Sequence, residues 1–458
     1  MKKLVAAFTF ASLGASSVAW AQGAPQPAAP AADTLAPPTP AELPAGATTA
    51  SDLPGLTFEQ AIEMARKNNR NVKVDRAQLV AAQTATETAW SSLLPTISAQ
   101  GKYTRNYVKV EFPAGAFGPN PFLLQPLNQL DGMINGSMPL IAPAAWAGLE
   151  SVKANVAAAE ATFEAQEAAL LVNVGEAFLA AAGLDELLEA RRSSLVVAQA
   201  TLRDAEVRLS AGSVTKVDVD RAKVAVVRAE QQERDTLASR ATAYRTLATL
   251  VQTKKPFRVS TNFPTSPMPD PNDVQMALHL RPEYRALEQT VKSAEQESNA
   301  RALLWAPTLS AFGNYHRFNY DNFHLDNHSW AVGAQLDWIL FDGGGRDAAR
   351  HQANARAMAA REQQAVFADQ LKDDMANSYG QLRVKQQGVE AARQAAALSN
   401  ESLDLIRTQY TAGTATQLDL LQAQDALTSS NLALVQARFD VAASDLSFRF
   451  YAGTFPPK

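Results

Sequence analysis

Two stretches of the chain read almost alike: Arg208-Leu209-Ser210-Ala211-Gly212-Ser213-Val214-Thr215-Lys216-Val217-Asp218-Val219 and Gln409-Tyr410-Thr411-Ala412-Gly413-Thr414-Ala415-Thr416-Gln417-Leu418-Asp419-Leu420. A second pair, Leu94-Pro95-Thr96-Ile97-Ser98-Ala99 and Ala306-Pro307-Thr308-Leu309-Ser310-Ala311, repeats the correspondence. With an offset of roughly 200 residues and two copies, this is a duplication rather than a solenoid array. Working outward from the Ala-Gly turns, both copies carry the same order of segments. A helix-patterned stretch, 57–94 or 272–306, is stopped by Pro95 or Pro307. Thr57 and Gln60 have capping-box spacing at the start of the first. Two segments of period-two patterning follow. A proline-free helical run then covers 144–210 or 346–411, and beyond the turn a last helix covers 215–252 or 416–451.

The long runs decide the architecture. About 67 residues at 1.5 Å each make a rod of roughly 100 Å, whereas ordinary globular helices have about 8–20 residues. Leu184, Leu188, Leu195, Ala198, Leu202, Ala205 and Leu209 follow a 3-4 alternation broken only by Arg191. Leu382, Val389, Ala392, Ala396, Leu403, Ile406 and Tyr410 repeat it, as do Leu420, Ala423, Leu427, Leu434, Ala437, Val441 and Phe448. Such a heptad pattern predicts left-handed supercoiling of closely packed, antiparallel helices. The shorter helices are about half as long as the rods, so a wall of one rod beside two stacked half-rods, repeated twice, accounts for every helix.

The patterned segments, 97–112, 132–142, 308–320 and 329–341, are predicted strands. Trp330, Val332, Ala334, Leu336, Trp338 and Leu340 fall on one face, with Ala331, Gly333, Gln335 and Asp337 on the other. Ile134, Met138 and Leu140 take the matching face opposite Asn135 and Ser137, and Tyr103, Tyr107, Tyr315 and Tyr320 flank the set. Apolar-out, polar-in strands with flanking aromatics are the outer-membrane pattern, in which Trp330 and Trp338 take the membrane-interface positions. A pair of hairpins in a soluble sheet is the alternative. Open strand edges cannot sit in lipid, and four strands cannot close a barrel. Two chains would supply eight strands and three would supply twelve, and twelve leaves room for a conduit.

Residues 1–21 read as a signal peptide: Lys2 and Lys3, an apolar run from Leu4 to Leu13, then Ala19-Trp20-Ala21. Residues 22–55 form an Ala/Pro-rich leader expected to be disordered, and 256–271 a linker between a first repeat over 56–255 and a second over 272–453. No transmembrane helix is expected after the signal. A net charge of −4 without a basic stripe argues against nucleic acid. The absence of cysteine removes disulfides, thiolate chemistry and lipidation at cysteine.

Together, the duplicated order of proline-terminated helix, strand pair, long helix, Ala-Gly turn and helix resembles the TolC-like outer-membrane efflux proteins over about 57–453. The turns 210–213 and 411–414, each followed by an aspartate, carry the most specific likeness. The resemblance implies a mainly helical fold with a membrane β-barrel portion: a homotrimer whose strands form one 12-stranded barrel in the outer membrane of a Gram-negative bacterium, above a periplasmic α-helical tunnel. It implies an export channel without cofactor that docks with a periplasmic adaptor and an inner-membrane pump. By position Gly212, Ser213, Gly413 and Thr414 inherit contact with the adaptor. Asp218 and Asp419 match acids of the periplasmic entrance, and Tyr410 matches a gating tyrosine. Departures from the pattern are Ala415, where an arginine can lock the entrance, and Gln422, where a second acid can sit; they imply a laxer gate. The alternative reading is a periplasmic coiled-coil structural or adaptor protein.

No enzymatic constellation stands out. His324 and His328, near Asp321 and Asp326, fall in a loop where their spacing has no helical meaning, so no metal site is expected. Gly343-Gly344-Gly345 lacks the Gly-Lys-Ser/Thr ending of a phosphate loop and reads as a strand-to-helix corner with Asp342 as cap.

Overall fold

The computed structural model describes residues 54–116, 118–260, 268–321 and 327–456. The expected signal segment, nearly all of the leader, and His324 and Asp326 lie outside the described residues. Strand β1 (Gly55–Leu56) leads into α1 (Phe58–Asn68) and α2 (Arg70–Ser91). Strands β2 (Thr96–Arg105), β3 (Val110–Phe112), β4 (Phe122–Gln125) and β5 (Asn128–Ile141) precede the long helix α3 (Pro143–Ser210) and its return α4 (Lys216–Val251). The second half runs β6 (Arg258–Val259), α5 (Val274–Leu280), α6 (Pro282–Ala302), a 3-10 turn at Leu303–Trp305, β7 (Thr308–Phe318), β8 (His328–Asp337), α7 (Gly345–Thr411) and α8 (Gln417–Tyr451).

Helix α3 has 68 residues and α7 has 67, each a rod of about 100 Å. Helix α3 packs against α2 and α4 and also against α6 and α8, and α7 packs against α6 and α8. The lateral order is therefore α2/α4, α3, α6/α8, α7.

The helices read from sequence as single pieces over 57–94 and 272–306 are each broken, and the breaks are where half-rods meet. Asn69 is buried between α1 and α2; its Oδ1 accepts from Asn71 N at 2.8 Å and its Nδ2 donates to Leu250 O at 2.8 Å. In the second half Pro282 excludes Arg281 from the helical region, leaving it at φ −76°, ψ 120°. The Arg281 guanidinium donates to Phe450 O at 2.7 Å and lies 4.1 Å from the Phe450 ring centroid. Leu250 and Phe450 sit in the last turns of α4 and α8, whose carbonyls have no partner within the helix. In both halves a buried polar side chain at the break thus closes the end of the neighbouring half-rod.

The main core gathers midway along α3. Leu171, Val174, Phe178, Ala181 and Ala182 are buried against Phe58, Ile62, Leu247, Val251 and Leu446. Full burial of a side chain such as Phe178 is worth about 1.5–3 kcal/mol. Gly175 lets α8 close on α3: a Cβ there would lie 2.7 Å from Leu446 Cδ2. By length and composition α3 is apolar enough to cross a membrane, with a mean hydropathy of 1.4 over an 18-residue window. Half of that window is buried, so its apolarity serves the helical wall.

The four longest strands form an antiparallel sheet in the order β2-β5-β7-β8, in which β5 and β7 join the two halves, while β1 and β6 make a short parallel pair. Strand β2 and strand β8 are its edges. The segment 97–112, read as one strand, holds both β2 and β3. The chain leaves the sheet after Arg105, and β3 pairs with β4 in a separate hairpin. Strand β5 starts at Asn128 rather than 132 because β2 offers a ladder as far as Arg105↔Asn128. Strand β8 leaves its ladder at Asp337, where the alternation gives way to the apolar run Trp338-Ile339-Leu340-Phe341.

Candidate functional site

Two regions carry the residues singled out above: the helical turns at one end of the wall and the sheet at the other. At the first turn Gly212 has φ +71° and at the second Gly413 has φ +79°, a region open to glycine at little cost. Ser213 N donates to Arg208 O at 2.9 Å and Thr414 N to Gln409 O at 2.9 Å, each reaching five residues back into the helix. The Ser213 and Thr414 hydroxyls donate to the same carbonyls, at 3.0 and 3.1 Å. All four residues are exposed.

The next helix starts on a capping box in both copies. Asp218 Oδ2 accepts from Thr215 N at 3.0 Å and Thr215 Oγ1 at 2.7 Å. Asp419 Oδ2 accepts from Thr416 N at 2.8 Å and Thr416 Oγ1 at 2.6 Å. These bonds favour the charged form. The threonine hydroxyl first, then the backbone N–H, hold both carboxyls below the usual aspartate range. Asp218 also has Arg221 at 3.5 Å, whereas Asp419 has no cation in ion-pair range among the described residues.

Tyr410 is 6% exposed, packed with Leu403, Leu420 and Ala423 and flanked by Ile406 and Ala415. Its hydroxyl donates to Gln417 Oε1. The Arg208 guanidinium, held by Asp204 at 2.9 Å, lies 4.4 Å from the Tyr410 ring centroid. Burial raises the Tyr410 pKa, so the hydroxyl stays neutral and a donor. Arg208 and Gln417 were missed from sequence as partners of Tyr410. Gln417 lies seven residues on, across a turn, and Arg208 comes from the other copy, so neither has a local signal. Ala415 joins the apolar packing around Tyr410. Just above the turns, α4 and α8 leave an open groove of about 800 Å³ over α3, lined by Val197, Val217, Val224, Leu418, Leu421 and Gln422.

In the sheet the register sorts the faces. The rows Ala99–Ile134–Tyr315–Trp330 and Ile97–Gly136–Gly313–Val332 lie on one face. Ser98–Asn135–Asn314–Ala331 and Gln100–Met133–His316–Ser329 lie on the other. Ile97, Trp330 and Val332 are 81, 72 and 77% exposed. A continuous apolar face left uncovered is what a soluble hairpin pair avoids. Trp338 lies one residue past β8, its Nε1 donating to Trp305 O at 3.1 Å.

No cluster of three metal-ligating side chains occurs among the described residues. Asp321 is engaged with Leu123 N at 2.7 Å. At the glycine corner Asp342 Oδ1 accepts from Gly344 N at 3.2 Å and Oδ2 from Arg346 N at 2.9 Å, a cap for α7.

Comparison with known proteins agrees with this geometry. The chain is 24% identical over 303 residues to the outer membrane efflux protein BepC of Brucella suis, covering 63% of this chain and 66% of that protein. It is 24% identical over 419 residues to the outer membrane protein OprJ of Pseudomonas aeruginosa, covering 86 and 84%. The crystal structure of a membrane protein from Pseudomonas aeruginosa superposes with a TM-score of 0.76 at 19% identity, covering 87% of this chain and 91% of that one, a likeness of fold. The family model described as outer membrane efflux protein matches residues 61–252 and 274–454, one segment in each half, and the chain belongs to that family.

Proposed function

We propose that this chain is the outer-membrane exit channel of a tripartite efflux pump or type I secretion system, a passive conduit from periplasm to exterior. The observation that carries the reading is the four-stranded sheet with one exposed apolar face, one polar face and two open edges, continuous with a helical wall. Lipid tolerates the apolar face and not the edges, so closure needs further copies. Three copies give twelve strands, a polar lumen and a helical tunnel below it. Trp330 and Trp338 mark the membrane end. At the periplasmic end the turns at Gly212-Ser213 and Gly413-Thr414 present small exposed residues to the adaptor, beside the groove between α4 and α8. Asp218 and Asp419, ionised throughout the neutral range, form rings of carboxylates at the entrance and favour cations. Tyr410, clamped by Gln417 and Arg208, holds the second turn closed against the first.

The test is purification from outer membranes, native mass measurement in detergent and recording in planar bilayers. A trimer-sized particle with steady conductance is the expected result. A non-conducting monomer that stays in solution without detergent would overturn the reading. Adaptor contact is tested by photo-crosslinking from Ser213→Cys and Thr414→Cys, both available because the chain has no native cysteine.

A further inference from the structure

Two arginines stand on the apolar side of the sheet, at its end away from the helices. The ladders pair Gly101 with Gly132, Gly132 with Arg317 and Arg317 with His328. These four residues form one row, on the same face as Ala99–Ile134–Tyr315–Trp330 and one step beyond it. Arg105, paired with Asn128, lies further along the same side of β2. Arg105, Arg317 and His328 are exposed. A strand tilted by about 40° and rising about 3.3 Å per residue gains about 2.5 Å of height per residue, so the climb from Thr308 to Arg317 is about 23 Å. An outer-membrane apolar band is about 25 Å tall. Arg317 thus stands at the head-group level, just past the aromatic pair Tyr315–Trp330.

The guanidinium there is unanswered. No carboxylate lies in ion-pair range of Arg317 among the described residues, and Asp131, the acid of β5, is on the opposite face with His316 at 3.0 Å. The His328 ring stacks on Tyr315, with centroids 6.0 Å apart, which keeps it on the side of Arg317. Arg105 donates to Asn128 Oδ1, which also accepts from the Tyr103 hydroxyl at 3.0 Å. Beside Arg317 the row is bare backbone: a Cβ at Gly101 would meet nothing within 4 Å, and one at Gly132 would meet Arg317 O at 3.8 Å. Toward the helices the same face holds Ile97, Met138, Leu309 and Leu336 and no Lys or Arg. The positive charge is therefore confined to one end of the face, the end that meets the outer leaflet.

Resting on the reading of the sheet as membrane-spanning, we infer that Arg317, with His328 and Arg105 beside it, binds the phosphate of a phosphorylated glycolipid in the outer leaflet. An unpaired guanidinium is costly in mid-membrane and tolerated near the interface. At the interface it can donate two parallel N–H bonds to one phosphate. His328 adds a ring N–H, and the two glycines leave room for a sugar head group against the strands.

Full-length protein purified from outer membranes in detergent is titrated with bisphosphorylated lipid A, with lipid A stripped of phosphate and with phosphatidylglycerol. Bound lipid is counted by native mass spectrometry. The expected result is preferential retention of bisphosphorylated lipid A, with affinity falling about tenfold in Arg317→Gln. Arg317→Lys, which keeps the charge and loses the fork, should fall less, and Arg245→Gln, on the exposed side of α4, should not change binding. Equal affinity in Arg317→Gln and the unsubstituted protein overturns the inference, as does an equal fall in Arg245→Gln. Equal retention of the dephosphorylated lipid overturns phosphate recognition, and equal retention of phosphatidylglycerol overturns the assignment to the glycolipid. A chain that stays in solution without detergent overturns the spanning reading and this inference together, whereas the Arg317→Gln result bears on this inference alone.

Discussion

At the turn between α3 and α4, Gly212, Ser213 and the Thr215–Asp218 box bend the chain, and small residues, Ala205 and Ala222, fill the seam with Val219. At the turn between α7 and α8 the same backbone device recurs with Gly413, Thr414 and the Thr416–Asp419 box, but the seam holds Tyr410. The two copies share the five-residue return bond and the capping box that shape the backbone and differ in what occupies the space beneath. One side chain then crosses between them, Arg208 of the first turn over Tyr410 of the second. Backbone geometry is therefore common to both turns, and on the proposed channel reading control of the entrance is concentrated at the second.

The comparison can be broken most forcefully at Tyr410. Tyr410→Ala removes a buried ring and is expected to destabilise the second turn by about 3 kcal/mol. Hydrogen exchange should rise around 403–420 while 205–222 keeps its protection, and conductance should increase. Equal loosening of both turns would show that they are one unit.

Next come the glycines. Gly212→Ala and Gly413→Ala each force a side chain into positive φ, at about 1 kcal/mol. The effects on local exchange should be equal, since nothing lies within 4 Å of either added Cβ. An unequal pair would locate function in the backbone after all. Arg208→Gln keeps the bulk and removes the cation from the Tyr410 ring, an interaction worth about 0.5–1 kcal/mol at an exposed site. It should raise channel opening without changing the first turn's capping.

The smallest effect on stability is expected from the acids, and it is read in selectivity. Asp419→Asn should lower cation preference more than Asp218→Asn, because Arg221 already offsets Asp218. The folded carboxyls titrate below the ordinary value of about 3.9, so their capping contribution is complete above that pH and is lost as pH falls through the lower folded value. Cation preference should accordingly hold from pH 7 to about pH 4. Decay already near pH 6 would assign it to other groups.

Much of this was legible in the sequence because it is local. Proline-free heptads predicted both rods to within a residue or two, since each helical hydrogen bond closes over four residues. The duplicated Ala-Gly turns and the face alternation of β8 were readable for the same reason. The helix breaks were not. Asn69 resembles any polar helix residue until Leu250, far along the chain, supplies its acceptor. Pro282 marks the second break locally, because proline bars the residue before it from the helical region. The β3–β4 hairpin was absorbed into β2 because the pattern shows alternation without showing where pairing stops.

By itself the sequence determined the length of each rod, the position of each turn and the sidedness of each strand, through periodicity and hydrogen bonds between near neighbours. Only the tertiary structure decided which half-rods stack, how β5 and β7 join the two halves into one open-edged sheet, and that Tyr410 is clamped between Gln417 and Arg208. Those choices depend on contacts between residues far apart in the chain, whose complementarity of shape and charge leaves no periodic mark.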